Sequence, residues 1–179
     1  MIELNQVCAT QTGCAEGDDP GFPITLTATG SYRLTLGTGG RVRDSIADNN
    51  GGTGMILGSG GVATGSIAST NVGDGIRFDG TGGVASGNSL VGNGGSGLIF
   101  THGGVANGNT VYTNHWDGIT VVGGAAVVVE NSAGENHQLG IFGGGSSGLN
   151  ALGQNTAGGF SNFGIPIACN VVDGVRTCP

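Results

Sequence analysis

The chain has 179 residues, including 41 Gly and 12 acidic residues, and its formal net charge at pH 7 is −7. Its five basic residues are scattered Arg side chains, which argues against binding to nucleic acid or to an anionic membrane. The hydrophobic share of 37% predicts one folded domain, and the longest apolar run, 119–129, is too short for a transmembrane helix.

Both ends of the chain carry a close pair of cysteines, Cys8 with Cys14 and Cys169 with Cys178. Four cysteines allow three connectivities, of which pairing within each end is the simplest. An even number of cysteines in an acidic chain without Lys is typical of an oxidising compartment, so we expect a secreted protein. The first residues after Met1 do not have the features of a secretory signal.

A repeat of about 21 residues fills the middle of the chain. The pattern Asn-x4-Asn-x3-Gly-apolar occurs four times, at Asn88/Asn93, Asn109/Asn114, Asn131/Asn136 and Asn150/Asn155. Two looser copies begin at Asp44 and Gly65, with one extra residue, Asn50 or Asn71, before the glycine. Paired glycines mark the boundaries between repeats.

The segments between the turns are only three to five residues long and alternate apolar with small or polar residues, which predicts strands and excludes helical repeats. A unit of about 21 residues cannot bury its apolar side alone, so successive coils must stack about 4.8 Å apart. The prediction is an all-β fold, a parallel β-solenoid of about six coils. The Asn residues of successive coils should then form hydrogen-bonded ladders at left-handed turns.

The open ends of a solenoid are exposed sheet edges, which must be covered to prevent fibre growth. Residues 1–37 and 160–179 lie outside the repeat and contain the cysteine pairs. The predicted domain therefore consists of an N-terminal cap over 1–37, coils over 38–159 and a C-terminal cap over 160–179.

The stacked Asn pattern resembles that of secreted bacterial right-handed parallel β-helix proteins of the pectate-lyase-like group. The segments 2–6, 17–25 and 30–35 are similar to the start of uncharacterised members, and 169–179 is similar to their end. One departure is that Leu36-Gly37 leads directly into the Gly-rich repeats, where such relatives continue into additional coils, as in a shortened or engineered version.

The resemblance implies that any catalytic chemistry would act on acidic polysaccharides. Its lyases use calcium held by several Asp with a basic residue nearby, so calcium is the one cofactor the resemblance suggests. Only Arg77 and Asp79 come close, and their alternation with Ile76 and Phe78 places both on the outer side of one strand. A surface ion pair is the simpler interpretation of these two catalytic candidates.

The hydrolases of the group share a Gly-His-Gly and an Arg-Ile-Lys motif. The chain has Thr101-His102-Gly103 instead and contains no Lys, so this motif is effectively missing. His102 is therefore interpreted as a structural residue.

The densest polar cluster predicted by the repeat register surrounds two histidines. His115 and His137 follow ladder Asn residues one coil apart, so their rings should lie one strand spacing apart. Together with Asp117 and Glu135 they could hold a transition metal, and Trp116, the only Trp, could stack on a sugar ring. A solvated turn is the simpler alternative. Gln138 is also predicted to lie beside the two histidines.

The same register predicts an outward apolar stripe formed by Ile56, Ile99 and Phe142, with Arg77 and Thr120 between them. Such a stripe suggests a partner surface or a covering terminal segment. The opposite strand parity would place these side chains in the core.

Three functions follow, in order of preference. The first is a secreted, non-catalytic solenoid with a structural or glycan-binding role, because the catalytic motifs are missing. The second is a polysaccharide lyase or hydrolase acting on acidic glycans. The third is self-assembly into fibres, so the expected partners are a polysaccharide or a second copy of the chain.

Overall fold

The computed structural model describes residues 32–143 continuously, with side chains from residue 35, and the backbones of short strands on either side of this range. The described strands form three sheets. Sheet 1 contains β1 (Val7–Ala9), β3 (Tyr32–Leu36), β6 (Met55–Leu57), β9 (Ile76–Phe78), β12 (Leu98–Phe100), β15 (Ile119–Val121), β18 (Leu139–Gly143) and β21 (Gly158–Ser161).

The other two sheets follow sheet 1 in each coil. Sheet 2 contains β4 (Arg41–Arg43), β7 (Val62–Thr64), β10 (Gly83–Ser86), β13 (Gly104–Asn107), β16 (Val127–Val129) and β19 (Ser146–Gly148). Sheet 3 contains β2 (Thr25–Thr27), β5 (Ile46–Asp48), β8 (Ile67–Ser69), β11 (Ser89–Val91), β14 (Thr110–Tyr112), β17 (Ser132–Gly134), β20 (Ala151–Gly153), β22 (Asn170–Val172) and β23 (Val175–Thr177).

Within 32–143, neighbouring strands in each sheet come from successive coils and run parallel. Leu98, for example, lies between Ile76 of the coil before and Ile119 of the coil after. Five complete three-strand coils lie within 32–143, and the described residues contain no helix. The predicted parallel β-solenoid is therefore confirmed. No helix among these residues is long and apolar enough to cross a membrane.

Parallel pairing extends beyond the predicted limits of the coils. Before residue 38, β2 pairs with β5 and β3 with β6, and after residue 159, β22 pairs with β20. The described pairing also includes two antiparallel pairs, β1 with β3 and β22 with β23. The outlying strands lack the Asn and Gly pattern, so a search for the repeat could not include them.

Large side chains of sheet 1 fill the core against small side chains of the other two sheets. Each sheet 1 strand from β6 to β15 directs two residues inward, such as Ile76 and Phe78, which are fully buried. From β4 to β17, most strands of sheets 2 and 3 direct one side chain inward, often an alanine such as Ala63 or Ala68. Ile76 and Phe78, which the alternation in the sequence places inward, are confirmed as buried, and so are Leu90, Val111, Ile119 and Val121.

The paired glycines that separate the repeats have two different roles. In the first four pairs the first glycine has a left-handed backbone, as at Gly82 with φ 72°, and in the fifth pair it is the second, Gly124, with φ 73°. In those four pairs the second glycine lies at the start of a sheet 2 strand or directly before it, and leaves room for a large sheet 1 side chain. A Cβ on Gly83, for example, would lie 2.5 Å from Cδ1 of Phe78. The rings of Phe78 and Phe100 stack with centroids 4.9 Å apart. Glycine at the second position is thus a consequence of the bulk that sheet 1 directs inward.

Two buried amide ladders hold successive coils together. Asn114 shows the pattern: its backbone N–H and its Nδ2 both donate to Oδ1 of Asn136, at 3.1 and 3.0 Å, and Nδ2 also donates to the Leu90 carbonyl at 3.1 Å. Its own Oδ1 accepts from the backbone and side chain of Asn93 at 3.0 and 2.9 Å. Each interior rung therefore satisfies a fully buried amide without water.

The ladder register corrects the interpretation of the first two repeats. The first ladder contains Ser45, Ser66, Asn88, Asn109 and Asn131, and the second contains Asn50, Asn71, Asn93, Asn114 and Asn136. Asn50 and Asn71 are thus ladder residues and not insertions, and Asp44 and Gly65 precede the ladder. The spacing is unbroken, but Ser in place of Asn concealed it. The predicted rungs Asn150 and Asn155 lie outside the described residues.

The left-handed residue at each of these turns comes immediately before the ladder residue, so the prediction that the ladder Asn itself has this backbone was wrong. Before the first ladder these residues include Gly87 and Glu130, with φ of 65° and 57°. Glu is an unfavourable residue in this region of backbone space.

Exchanging residue types at these turns should change stability in opposite directions. Gly87→Ala should lower the free energy of unfolding by about 1 kcal/mol through its φ alone, since an added Cβ would meet nothing within 4 Å. Glu130→Gly should raise it by up to about 1 kcal/mol, because the relieved strain exceeds the added chain entropy of glycine. Urea denaturation measures both, and a shift of the same sign in both variants would contradict the assignment.

The predicted disulfides remain predictions. Cys8 lies in β1, where only the backbone is described, and Cys14, Cys169 and Cys178 lie outside the described residues.

Candidate functional site

The loops that lead from sheet 3 back to sheet 1 bring the predicted binding residues, except Glu135, into one row, here called the loop row (residues 51–53, 72–74, 94–96, 115–117 and 137–138). Backbone hydrogen bonds align the loops coil by coil. The N–H of His115 donates to the Asn93 carbonyl and that of His137 to the Asn114 carbonyl, both at 2.9 Å. The ladder Asn that precedes each loop therefore fixes where its exposed side chains begin.

The two imidazole rings of His115 and His137 lie next to each other at the exposed surface. Their centroids are 4.8 Å apart and their planes are inclined by 60°. The separation equals the strand spacing that the repeat register predicts. The structure therefore brings together the two histidines of the predicted cluster.

Trp116 stands at the end of a column of glycines in the loop row. The column runs Gly52, Gly73, Gly95, Trp116 and Gln138, each N–H after the first donating to the carbonyl one coil back at 2.9–3.2 Å. The indole side chain is 55% exposed, whereas most large apolar side chains of the described region face the core. The three glycines form a strip about 14 Å long that carries no side chain of its own, with Val72, which is 70% exposed, beside its middle residue Gly73.

Close approach of the chain enforces glycine in part of this strip. A Cβ on Gly95 would clash with Oδ1 of Asp74, and a Cβ on Gly73 would lie 2.7 Å from the Thr53 nitrogen. The sequence spacing does not show how closely two coils approach, so it does not reveal this constraint.

Asp117 does not belong to the exposed cluster. Only 6% of the residue is exposed, and both carboxylate oxygens are engaged: Oδ1 accepts from the Leu139 N–H at 2.9 Å and Oδ2 from the Thr120 hydroxyl at 3.1 Å. Thr120 in turn contacts the Ser96 hydroxyl at 3.0 Å. Asp117 thus links two coils. Because both of its oxygens already accept hydrogen bonds, it is not available as a ligand of the predicted metal site.

Glu135, the other predicted carboxylate ligand, lies at the turn before the second ladder and not in the loop row. It is exposed and has a left-handed backbone with φ 53°, directly before the ladder residue Asn136. Among the described residues, no three His, Cys, Asp or Glu side chains converge closely enough to hold a metal ion. The predicted set of two histidines and two carboxylates is therefore not assembled.

Arg77 and Asp79, the catalytic candidates, form an ion pair on the outer face of β9. Nε of Arg77 lies 2.5 Å from Oδ1 of Asp79, and the two side chains are 42% and 40% exposed. One coil further on, Ile99 lies opposite Arg77, so the next coil adds no charge there. The arrangement has the character of an ordinary surface ion pair, which contributes little to stability.

A second carboxylate near this pair, Asp74, was missed in the sequence. Its Oδ1 accepts the Ser96 backbone N–H at 3.0 Å. Burial raises the pKa of Asp74, against the lowering effects of the Ser96 amide and of the Arg77 charge. Asp74, Ser96 and Asp117 occupy equivalent positions one coil apart, so the repeat spacing could have identified this polar column.

The remaining predicted residues lie where the register places them. Ile56, Ile99 and Phe142 are half-buried on the outer face of sheet 1 between inward-facing neighbours, which confirms the predicted strand parity. His102 is exposed, and its Nδ1 lies 2.9 Å from the Thr101 hydroxyl.

Comparisons of the chain with protein-family models, curated proteins and solved structures find no match. The pectate-lyase-like family, a bacterial origin and secretion stay predictions.

Proposed function

We propose that the protein is a non-catalytic glycan-binding solenoid whose binding surface is the loop row around Trp116. The observation that carries the proposal is the position of the only Trp, 55% exposed at the end of a strip of glycines. An exposed indole is costly in water and is a common anchor in binding surfaces, because its flat apolar face can be desolvated by a ligand.

The polar neighbours of Trp116 suit a hydroxyl-rich ligand. His115, His137 and Gln138 are all exposed next to it and carry side-chain donors and acceptors. The side-chain-free strip offers a flat floor about 14 Å long, which is comparable to a short stretch of an extended polymer. Together these features favour a sugar chain that lies along the solenoid axis.

Charge favours a neutral glycan. The chain has a formal charge of −7, and Asp79 and Glu135 are both exposed on the described surface. An acidic polysaccharide would be repelled at neutral pH, with Arg77 already paired to Asp79. The preference for a neutral glycan also makes the lyase alternative, which acts on acidic chains, the weaker one.

A glycan array with the protein and two matched variants tests the proposal, run with and without calcium. We expect the protein to bind neutral polysaccharides such as β-glucans, xylans or chitin fragments, Trp116→Ala to lose that binding, and Val122→Ala to keep it. Val122 is a suitable control because it is 67% exposed and follows β15, outside the loop row.

Product analysis accompanies the array. Binding that survives Trp116→Ala, or the release of unsaturated or reducing ends from a bound polysaccharide, would overturn the proposal. A secreted location and assembly with further copies of the chain are separate predictions that this experiment leaves untouched.

A further inference from the structure

The rings of the two neighbouring histidines of the loop row, His115 and His137, are inclined to each other and not stacked in parallel. Their ring centroids are 4.8 Å apart and their planes are inclined by 60°. Lone pairs of an imidazole lie in the ring plane, so two parallel rings cannot direct them at one point, whereas two inclined planes meet along a line. An ion on that line can be bound by both rings.

The centroid separation agrees with a shared ion. If one nitrogen of each ring binds an ion at about 2.0–2.1 Å, each ring centre lies about 3.2 Å from that ion. For angles of about 90–110° between the two bonds, the centres are then about 4.5–5.2 Å apart. The observed separation falls inside this interval.

The second Asn ladder fixes the backbone positions of the two histidines. The residues before the histidines, Asn114 and Asn136, are joined by two hydrogen bonds of 3.1 and 3.0 Å, and the His137 N–H donates to the Asn114 carbonyl at 2.9 Å. Both backbones are therefore fixed, and binding an ion would order only the two exposed side chains. Pre-organised ligands bind with a smaller entropic cost.

We propose that His115 and His137 form a two-imidazole site for a late first-row divalent ion: Ni²⁺, Cu²⁺ or Zn²⁺. Neutral imidazole is a preferred ligand of these ions, while Ca²⁺ and Mg²⁺ require oxygen ligands. With Asp117 buried and engaged, the remaining coordination positions are open to water or to an added ligand. The site does not depend on glycan binding.

A titration of the full chain with Ni²⁺ in the absence of glycan, measured by calorimetry, tests the site. We expect one equivalent to bind with a dissociation constant below about 1 mM. His115→Gln and His137→Gln should each abolish saturable binding in that range. His102→Gln is the matched control, because His102 is also exposed but contacts Thr101 and not another histidine.

Two further measurements keep the outcome specific. Circular dichroism should be identical in all variants, since the exchanged side chains are exposed, and Trp116→Ala should bind Ni²⁺ as the unaltered chain does. Absence of binding below about 1 mM, or binding that the His115→Gln/His137→Gln double variant retains, would overturn the site. Because Trp116→Ala separates the two surfaces, failure here leaves the glycan proposal standing.

Discussion

Replacing Asn114 with Ala is expected to lower the free energy of unfolding by about 3 kcal/mol or more. The change leaves the Leu90 carbonyl without its donor and removes the acceptor of the Asn93 backbone N–H and side chain. Each buried group left unpaired costs about 1–3 kcal/mol. Urea denaturation followed by circular dichroism provides the measurement.

Asn107→Ala is the matched control, since Asn107 ends β13 and is half-buried outside the ladders. It should change the free energy of unfolding by no more than about 0.5 kcal/mol. Equal effects of the two substitutions would mean that the ladder amides add nothing beyond ordinary surface contacts.

Asn114→Asp should give the same destabilisation a pH dependence. The new carboxylate would face the Leu90 carbonyl and Oδ1 of Asn136 in a buried position, so its pKa in the folded protein should lie above its unfolded value. The folded state then binds the proton more tightly. The destabilisation should therefore be smallest below the unfolded-state pKa and grow as the pH rises through the folded-state pKa.

Phe78→Ala should lower the free energy of unfolding by about 3–5 kcal/mol. The Phe78 side chain is fully buried and stacks on Phe100 with ring planes 11° apart, so truncation leaves a cavity beside that ring. The same denaturation experiment measures the change. Val72→Ala, which truncates a side chain that is 70% exposed, should stay within about 0.5 kcal/mol.

Gly83 provides an internal check on this core. A Cβ at that position would lie 2.5 and 2.7 Å from Cδ1 and Cγ of Phe78, so Gly83→Ala alone should cost about 1–3 kcal/mol by overpacking. In the Phe78→Ala background the ring is gone, and the same substitution should cost much less. Additive effects in this double-mutant cycle would show that the ring is not what excludes a side chain at residue 83.

The fold was predictable because few residue types other than Asn and Gly fit the ladder and turn positions of its repeat. An Asn every coil, followed by Gly at a fixed spacing, identified the ladders from Asn88 to Asn136, and alternation placed Ile76 and Phe78 inward. Both signals reflect backbone geometry and packing, which depend on neighbours one coil away. The solenoid follows from them without any relative for comparison.

The register of the first two coils and the burial of Asp117 could not be predicted from the repeat pattern. Ser45 and Ser66 occupy ladder positions that Asn fills later, so the first coils were placed one residue out of register. Asp117 shares a loop with exposed residues, and only the approach of the Leu139 N–H from the next coil shows that it is engaged. Side-chain direction within an irregular loop is set by such contacts and not by spacing.

Trp116, as the only Trp, makes the binding claim directly measurable by intrinsic fluorescence. Titration with a neutral oligosaccharide selected on the array should shift the emission to shorter wavelength and saturate, because a sugar stacked on the 55% exposed indole removes water from it. Binding detected by calorimetry with no change in this emission would place the glycan elsewhere on the solenoid and contradict the account.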